Sequence, residues 1–155
     1  ENFFTFIKLI HKGWGLQIGK AGKELSLIYV ADLVQAMLIA SKHAKQEGHR
    51  YFVTDGQVYI WEQVAKESAR IMNIRLKTLK IPEGVLSLAA LLFEGWACFS
   101  SKAALFDLQR MIDIQQSSWS ASPDKFFEEL GFEPQYDLSR GLTETIKWYQ
   151  EQKWL

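Results

Sequence analysis

Two short patterns in this chain carry residue types that do chemistry. Tyr149-Gln150-Glu151-Gln152-Lys153 sets a phenol and an amine four residues apart. On a helix, positions i and i+4 share a face, so the ammonium lowers the phenol pKa and readies it for proton transfer. Here the pair lies at the C-terminal end, beside Trp154, with no helix-flanked cofactor pocket before it. Five tyrosines in a lysine-rich chain make one chance match unsurprising. The segment reads instead as an amphipathic end helix with Leu142, Thr145, Ile146 and Tyr149 inward. Gly13-Trp14-Gly15-Leu16-Gln17-Ile18-Gly19 resembles a glycine-rich dinucleotide loop. That chemistry needs a strand before the glycines and a helix after them, so that the pyrophosphate meets a helix N-terminus. In this chain a helical pattern precedes and a strand pattern follows, which reads as a helix end and a turn.

The remaining candidates have plainer readings. Asp32, just before a helical pattern, is expected to cap that helix through its carboxylate rather than carry a proton. His11, His43 and His49 have no carboxylate or cysteine at ligand spacing and read as solvated residues. Cys98 is the single cysteine, so no internal disulfide forms and no cysteine-based metal site is indicated. Trp61 and Trp148 fall on helix faces and read as core rather than ligand-stacking residues.

The elements that must position these groups follow from periodicity and punctuation. Phe3, Phe6, Ile7 and Ile10 share one helical face, ended by Gly13 and Gly15. Leu16–Ile18 and Leu25–Val30 read as strands about a turn at 19–22. A helix follows Asp32 to about Gln46, with Leu33, Ala36, Met37 and Ala40 inward, and stops at Gly48. Tyr51–Val53 is a strand and Asp55-Gly56 a turn. A helix covers about Ile60–Met72, with Trp61, Ala65, Ser68 and Met72 on one face. Leu76–Ile81 alternates as a strand and stops at Pro82. An apolar helix over about Gly84–Phe99 and a shorter one over Leu105–Ile114 come next. Ser122-Pro123-Asp124 opens another helix that Gly131 closes. A last helix runs from Asp137–Ser139 to near Trp154. The order is α/β passing into a helical tail, with a small mixed sheet and mostly helical surround.

The chain has 155 residues, enough for one domain with a real core. Lys plus Arg and Asp plus Glu number 18 each, so net charge argues for neither nucleic acid nor an anionic membrane as partner. The Gly84–Phe99 helix, at about 16 residues, falls short of the about 20 that span a bilayer. A buried, subunit-contacting or lid role suits it better. With one cysteine and no signal pattern, a reducing cytoplasm is the expected compartment. A first residue of Glu suggests a piece of a longer chain.

An ordered series runs through the whole sequence: Ile28-Tyr29-Val30-Ala31-Asp32-Leu33, Tyr51-Phe52-Val53-Thr54-Asp55-Gly56, Leu79-Lys80-Ile81-Pro82, Glu129-Leu130-Gly131-Phe132-Glu133-Pro134, and Gly141-Leu142 with Thr145, Trp148 and Tyr149. That series resembles the C-terminal half of the extended short-chain dehydrogenases/reductases, the NAD-dependent epimerase/dehydratase family. The resemblance implies a single substrate-binding domain over residues 1–155, cut from an extended Rossmann-type dehydrogenase. NAD or NADP and the catalytic residues would belong to an N-terminal half absent from this sequence, so this chain alone would bind no cofactor. The absent half, a small-molecule substrate and a second copy of the chain are the expected partners, with no nucleic acid or membrane partner. Leu16, Ile18, Leu25, Ser26 and Leu27 would line the substrate cleft, and Tyr51–Val53 would rejoin the Rossmann sheet.

One departure bears on the substrate. Nucleotide-sugar epimerases similar to this chain carry an Arg seven residues before the motif Asp, where it clamps the diphosphate. Leu25 stands at that position, followed by Ser26. Leucine cannot replace a bidentate guanidinium on a phosphate. The expectation is therefore a weakly charged substrate, as in the branch similar to 3β-hydroxysteroid dehydrogenases. Alternatively, Leu25 is a strand core residue and another arginine, such as Arg75 or Arg110, holds a nucleotide sugar. A non-catalytic sensor or interaction module with the same fold is the reading from a different class.

Overall fold

A computed structural model describes residues 2–18, 21–43, 49–82 and 118–155. Its elements in order are α1 (Asn2–His11), β1 (Trp14–Ile18), β2 (Glu24–Ser26), α2 (Val30–His43), β3 (Val58–Ile60), α3 (Trp61–Ile71), β4 (Lys77–Ile81), β5 (Ser118–Trp119), α4 (Asp124–Leu130) and α5 (Leu138–Glu151). The expected helices at Gly84–Phe99 and Leu105–Ile114, with Cys98 and Arg110, lie outside the described residues.

The strands form two small sheets. β1 and β4 pair in parallel, with Leu16 opposite Leu79 and Ile18 opposite Ile81. β2 sits between β3, antiparallel, and β5, parallel. Neither β3 nor β5 was expected, because three and two residues are too few to show a period of two. Gly13 makes the turn between α1 and β1 at a φ of 83°, which a side chain would resist. Gly15 lets the side chain of Leu76 lie close above β1; an added Cβ would meet it at 3.0 Å.

The main core gathers Ile7 of α1, Leu25 of β2, Val64 of α3, and Leu142 and Ile146 of α5. A second cluster joins Ile10 to Ala65 and Ala69, and a third joins Ala36 to Phe126 and Phe132. The aromatic spacing of α1 thus buries the face expected of it, with Ile7 and Ile10 fully enclosed. Ser68 stays inside the fold by donating its hydroxyl to the Val64 carbonyl at 2.7 Å.

Several expectations require correction. Tyr51–Val53 pairs with no strand among the described residues; the segment is extended, and Asp55 N–H donates to the Leu27 carbonyl at 2.8 Å just beyond it. Leu27–Tyr29 is likewise not strand, and α2 starts at Val30, two residues before Asp32. Asp32 therefore lies inside the first turn and caps nothing. Of the four residues placed inward on α2, Ala36 is buried, but Leu33 is exposed and Met37 is 63% exposed. Trp148 is also half exposed, edge-on to Trp154 at 5.0 Å. α5 stops at Glu151, and Pro123 precedes α4 as its cap residue instead of opening it from within. Gly131 closes α4 as expected, in left-handed geometry, with its N–H on the Phe127 carbonyl.

α3 and α5 are also joined at the surface. Arg70 donates to both carboxylate oxygens of Glu67 and to the Ser139 hydroxyl. These bonds hold the Glu67 carboxyl down to about 2. A carboxylate depressed in this way stabilises the fold above its unfolded pKa and loses that contribution as pH falls toward 2. Acid titration of the wild-type chain should therefore lose stability between about pH 4.5 and 2. Glu67→Gln should flatten that limb, as checked by urea midpoints across the range. Ile146→Ala, which empties part of the main core, should cost about 3 kcal/mol by the same assay.

Candidate functional site

A cavity of about 440 Å³ opens where α1, the Leu27–Val30 segment, the 55 turn and the start of α5 meet. Its apolar lining comes from Phe3, Leu27, Ile28, Val30, Leu138 and Leu142. Its polar groups are Tyr29, Asp55, Tyr136, Asp137 and Thr145. The size suits a small organic molecule.

Each wall has a local cause. Asp32 is 2% exposed and accepts hydrogen bonds from the backbone N–H of Gln135 at 3.0 Å and of Tyr136 at 2.9 Å. Both amides precede α5, and a carboxylate satisfied by backbone donors tolerates burial. The bond pair fixes Tyr136 against Tyr29, with ring centroids 4.3 Å apart. Arg140 lies over the Tyr136 ring at 4.2 Å and donates to the Gln135 carbonyl, so this cation is committed to the wall. Gly141 lets α5 approach: a Cβ there would stand 3.4 Å from Cβ of Tyr29.

The opposite rim rests on Asp55. Its Oδ1 accepts from Gln57 N–H at 3.0 Å, and its Oδ2 accepts from the Tyr59 hydroxyl at 2.6 Å. Burial pushes the Tyr59 phenol far above its ordinary value, the bond to Asp55 adds to this, and the Leu138 amide works against it. Tyr29 is raised too, by burial and then by Glu144. Asp137 caps α5 by accepting from Arg140 N–H at 2.8 Å. Both shifts keep the Tyr29 and Tyr59 phenols in the neutral form at neutral pH.

The residues expected to line a cleft are scattered. Leu27 lines the cavity. Leu25, 4% exposed, is in the main core. Ser26 faces the 118–121 segment, its hydroxyl accepting from Ala121 N–H at 3.2 Å and lying 3.4 Å from the Ala121 carbonyl. Leu16 and Ile18 belong to the separate two-stranded sheet. Arg75 is exposed beyond α3. Tyr29, Asp55, Tyr59 and Tyr136 were missed. The 55 turn was legible only as a turn, and Tyr136 carries no periodic signal.

α1 ends at His11 before Gly13, and β1 itself, Trp14–Ile18, runs through the glycine-rich stretch. Lys153 lies beyond α5 with a φ of 57°, off the face of Tyr149. Tyr149 stacks on Trp154 instead, and burial raises its pKa. His49 approaches the Tyr51 hydroxyl at 3.2 Å and Glu129 at 3.9 Å, a partner that sequence spacing hides. Among the described residues no group of three His, Cys, Asp or Glu is placed to hold a metal ion. Nor is any described helix long and apolar enough to cross a membrane.

Removing the Asp32 carboxylate should loosen the Tyr136 wall. Asp32→Ala should cost about 3 kcal/mol, since two part-buried amides lose a buried carboxylate acceptor. Asp32→Asn should cost less, because its amide oxygen still accepts. Urea denaturation measures both.

No protein-family model and no curated protein matches this sequence. Solved structures do match. An epimerase from Methanothermobacter thermautotrophicus is 14% identical with a TM-score of 0.69, over 96% of this chain and 37% of that one. A UDP-glucose 4-epimerase from Thermotoga maritima is 18% identical with a TM-score of 0.65, over 96% and 39%. A dTDP-glucose 4,6-dehydratase from Bacillus anthracis is 13% identical with a TM-score of 0.63, over 96% and 40%. This chain spans about two-fifths of the length of these proteins, and over that span it has the mixed α/β fold of the extended short-chain dehydrogenase epimerases and dehydratases.

Proposed function

We propose that this chain is the C-terminal, substrate-binding half of an NAD(P)-dependent oxidoreductase or epimerase acting on a secondary alcohol or ketone. The observation that carries this reading is the fold itself, which accounts for nearly all of the chain and about two-fifths of enzymes described as epimerases and dehydratases. One of these was solved with NAD, and a further similar structure with NADPH. In this reading the nicotinamide and the proton relay come from the other half. Hydride passes between the nicotinamide and the carbinol carbon, and this chain selects which alcohol enters.

A weakly charged substrate, sterol-like in character, is favoured by two features. Leu25 occupies the core where a diphosphate clamp was sought, and among the described residues no Lys or Arg lines the cavity. A specific observation favours a nucleotide sugar instead: the Thermotoga maritima enzyme was solved with UDP-glucose. The two readings differ in whether an arginine is needed for the diphosphate.

The other half has a surface to meet. Val30, Leu33, Val34, Met37 and Leu38 form one exposed apolar stripe on α2, and Phe52 is 70% exposed. A parallel sheet buried on both faces would cover such a helix and give the extended 51–53 segment its partner. Without that sheet, exposed edges favour association of two copies. Met37→Glu should weaken association with the other half, or with a second copy, at least tenfold, as read by sedimentation equilibrium.

The coding sequence upstream of Glu1 tests the whole reading. It should encode a strand, a glycine-rich turn, a helix and, later, Tyr-x-x-x-Lys. A reading frame that opens at Glu1 overturns the enzyme reading and favours a sensor module. With the longer protein in hand, turnover of uncharged cyclic alcohols against UDP-glucose separates the two substrate classes.

A further inference from the structure

We infer that the cavity beside Tyr29 binds an organic amine: an apolar or ring-bearing molecule that ends in an ammonium group. This inference goes beyond the proposed enzyme half and stands on the cavity alone. Its volume of about 440 Å³ holds a molecule of modest size. Phe3, Leu27 and Leu142 offer an apolar bed, and the Tyr29 ring attracts a cation, while the Tyr136 ring is already engaged by Tyr29 and Arg140.

The charge of the rim selects the ligand. Among the described residues, every acidic or basic residue lining the cavity is a carboxylate, Asp55 from one side and Asp137 from the other. Arg140 is not in the lining and is spent on the Tyr136 ring and the Gln135 carbonyl. Asp55 has two described donors and Asp137 one, so both keep lone pairs for a ligand. Thr145 donates its hydroxyl to the Gly141 carbonyl at 2.7 Å, so its oxygen also presents as an acceptor. The start of α5 does not reverse this balance. Arg140 N–H is held by Asp137, Gly141 N–H by the Asp137 carbonyl, and the Leu138 amide by Tyr59. The charged groups of the described rim are therefore acceptors, and its neutral donors are the Tyr29 and Tyr136 hydroxyls. An ammonium brings three donors and a positive charge, whereas an anion would meet two carboxylates without compensation.

The test uses three probes of one shape on the full 155-residue chain: 2-phenylethylamine, 2-phenylethanol and 3-phenylpropionate, followed by amide chemical shifts. The amine should shift Leu27, Tyr29 and Thr145 and bind at least tenfold tighter than the alcohol, with the acid weakest. Asp55→Asn keeps one acceptor oxygen for the Gln57 N–H and turns its amide N–H toward the Tyr59 oxygen, and Asp137→Ser keeps the helix cap; each removes one charge. Each should weaken the amine about tenfold and leave the alcohol unchanged. Thr145→Lys, on the helix flank of the cavity, should abolish amine binding and serves if an Asp variant fails to fold, which circular dichroism reads. Equal affinity for alcohol and amine, tighter binding of the acid, shifts elsewhere, or unchanged amine affinity in the folded variants would overturn the inference. So would the absence of amine binding at millimolar concentration.

Discussion

One buried carboxylate joins parts of this chain that are more than a hundred residues apart. Asp32 reaches from the first turn of α2 to the amides of Gln135 and Tyr136. A charge held at 2% exposure persists only when donors surround it, and two backbone amides meet that need. In return they fix the loop before α5. That loop carries the Tyr136 ring, the Asp137 cap and the helix whose Leu142 and Ile146 complete the main core. The cavity follows from the same constraint, since Tyr29 and Tyr136 face each other because Asp32 holds one near the other.

The rest of the fold is organised by a shortage of sheet. With one two-stranded and one three-stranded sheet among the described residues, helices supply most of the burial. α1, α3 and α5 pack their apolar stripes together around Leu25 of β2. α2 has only Ala36 and Asp32 fully buried; Ile39 packs partly on the Phe126 cluster, while Val30, Leu33, Val34, Met37 and Leu38 face outward. Exposed apolar stripes of this kind are surfaces that other elements or molecules commonly cover.

Four tyrosines share one direction of shift. Tyr29, Tyr51, Tyr59 and Tyr149 are all raised, by burial or by donating to a carboxylate. Activation of a phenol requires the reverse, a nearby cation that favours the phenolate. Tyr149 and Lys153 have the spacing for this but not the backbone, because the helix ends at Glu151 and Lys153 turns into the left-handed region. A four-residue interval means a shared face only while the helix continues.

What the sequence by itself determined were the features with a local cause. The aromatic face of α1, the α3 helix, the glycine end of α4 and the inward side of α5 all follow from period and punctuation over one stretch of chain. The α/β order was legible for the same reason. Strand pairing, the burial of Leu25, the outward face of Met37 and the long reach of Asp32 were decided only in three dimensions. A strand of three residues has too little length to show its period, and a face is buried only if another element arrives to cover it. The cavity belongs to this second class. Phe3, Leu27, Asp55 and Tyr136 are far apart along the chain, and tertiary packing alone makes them neighbours.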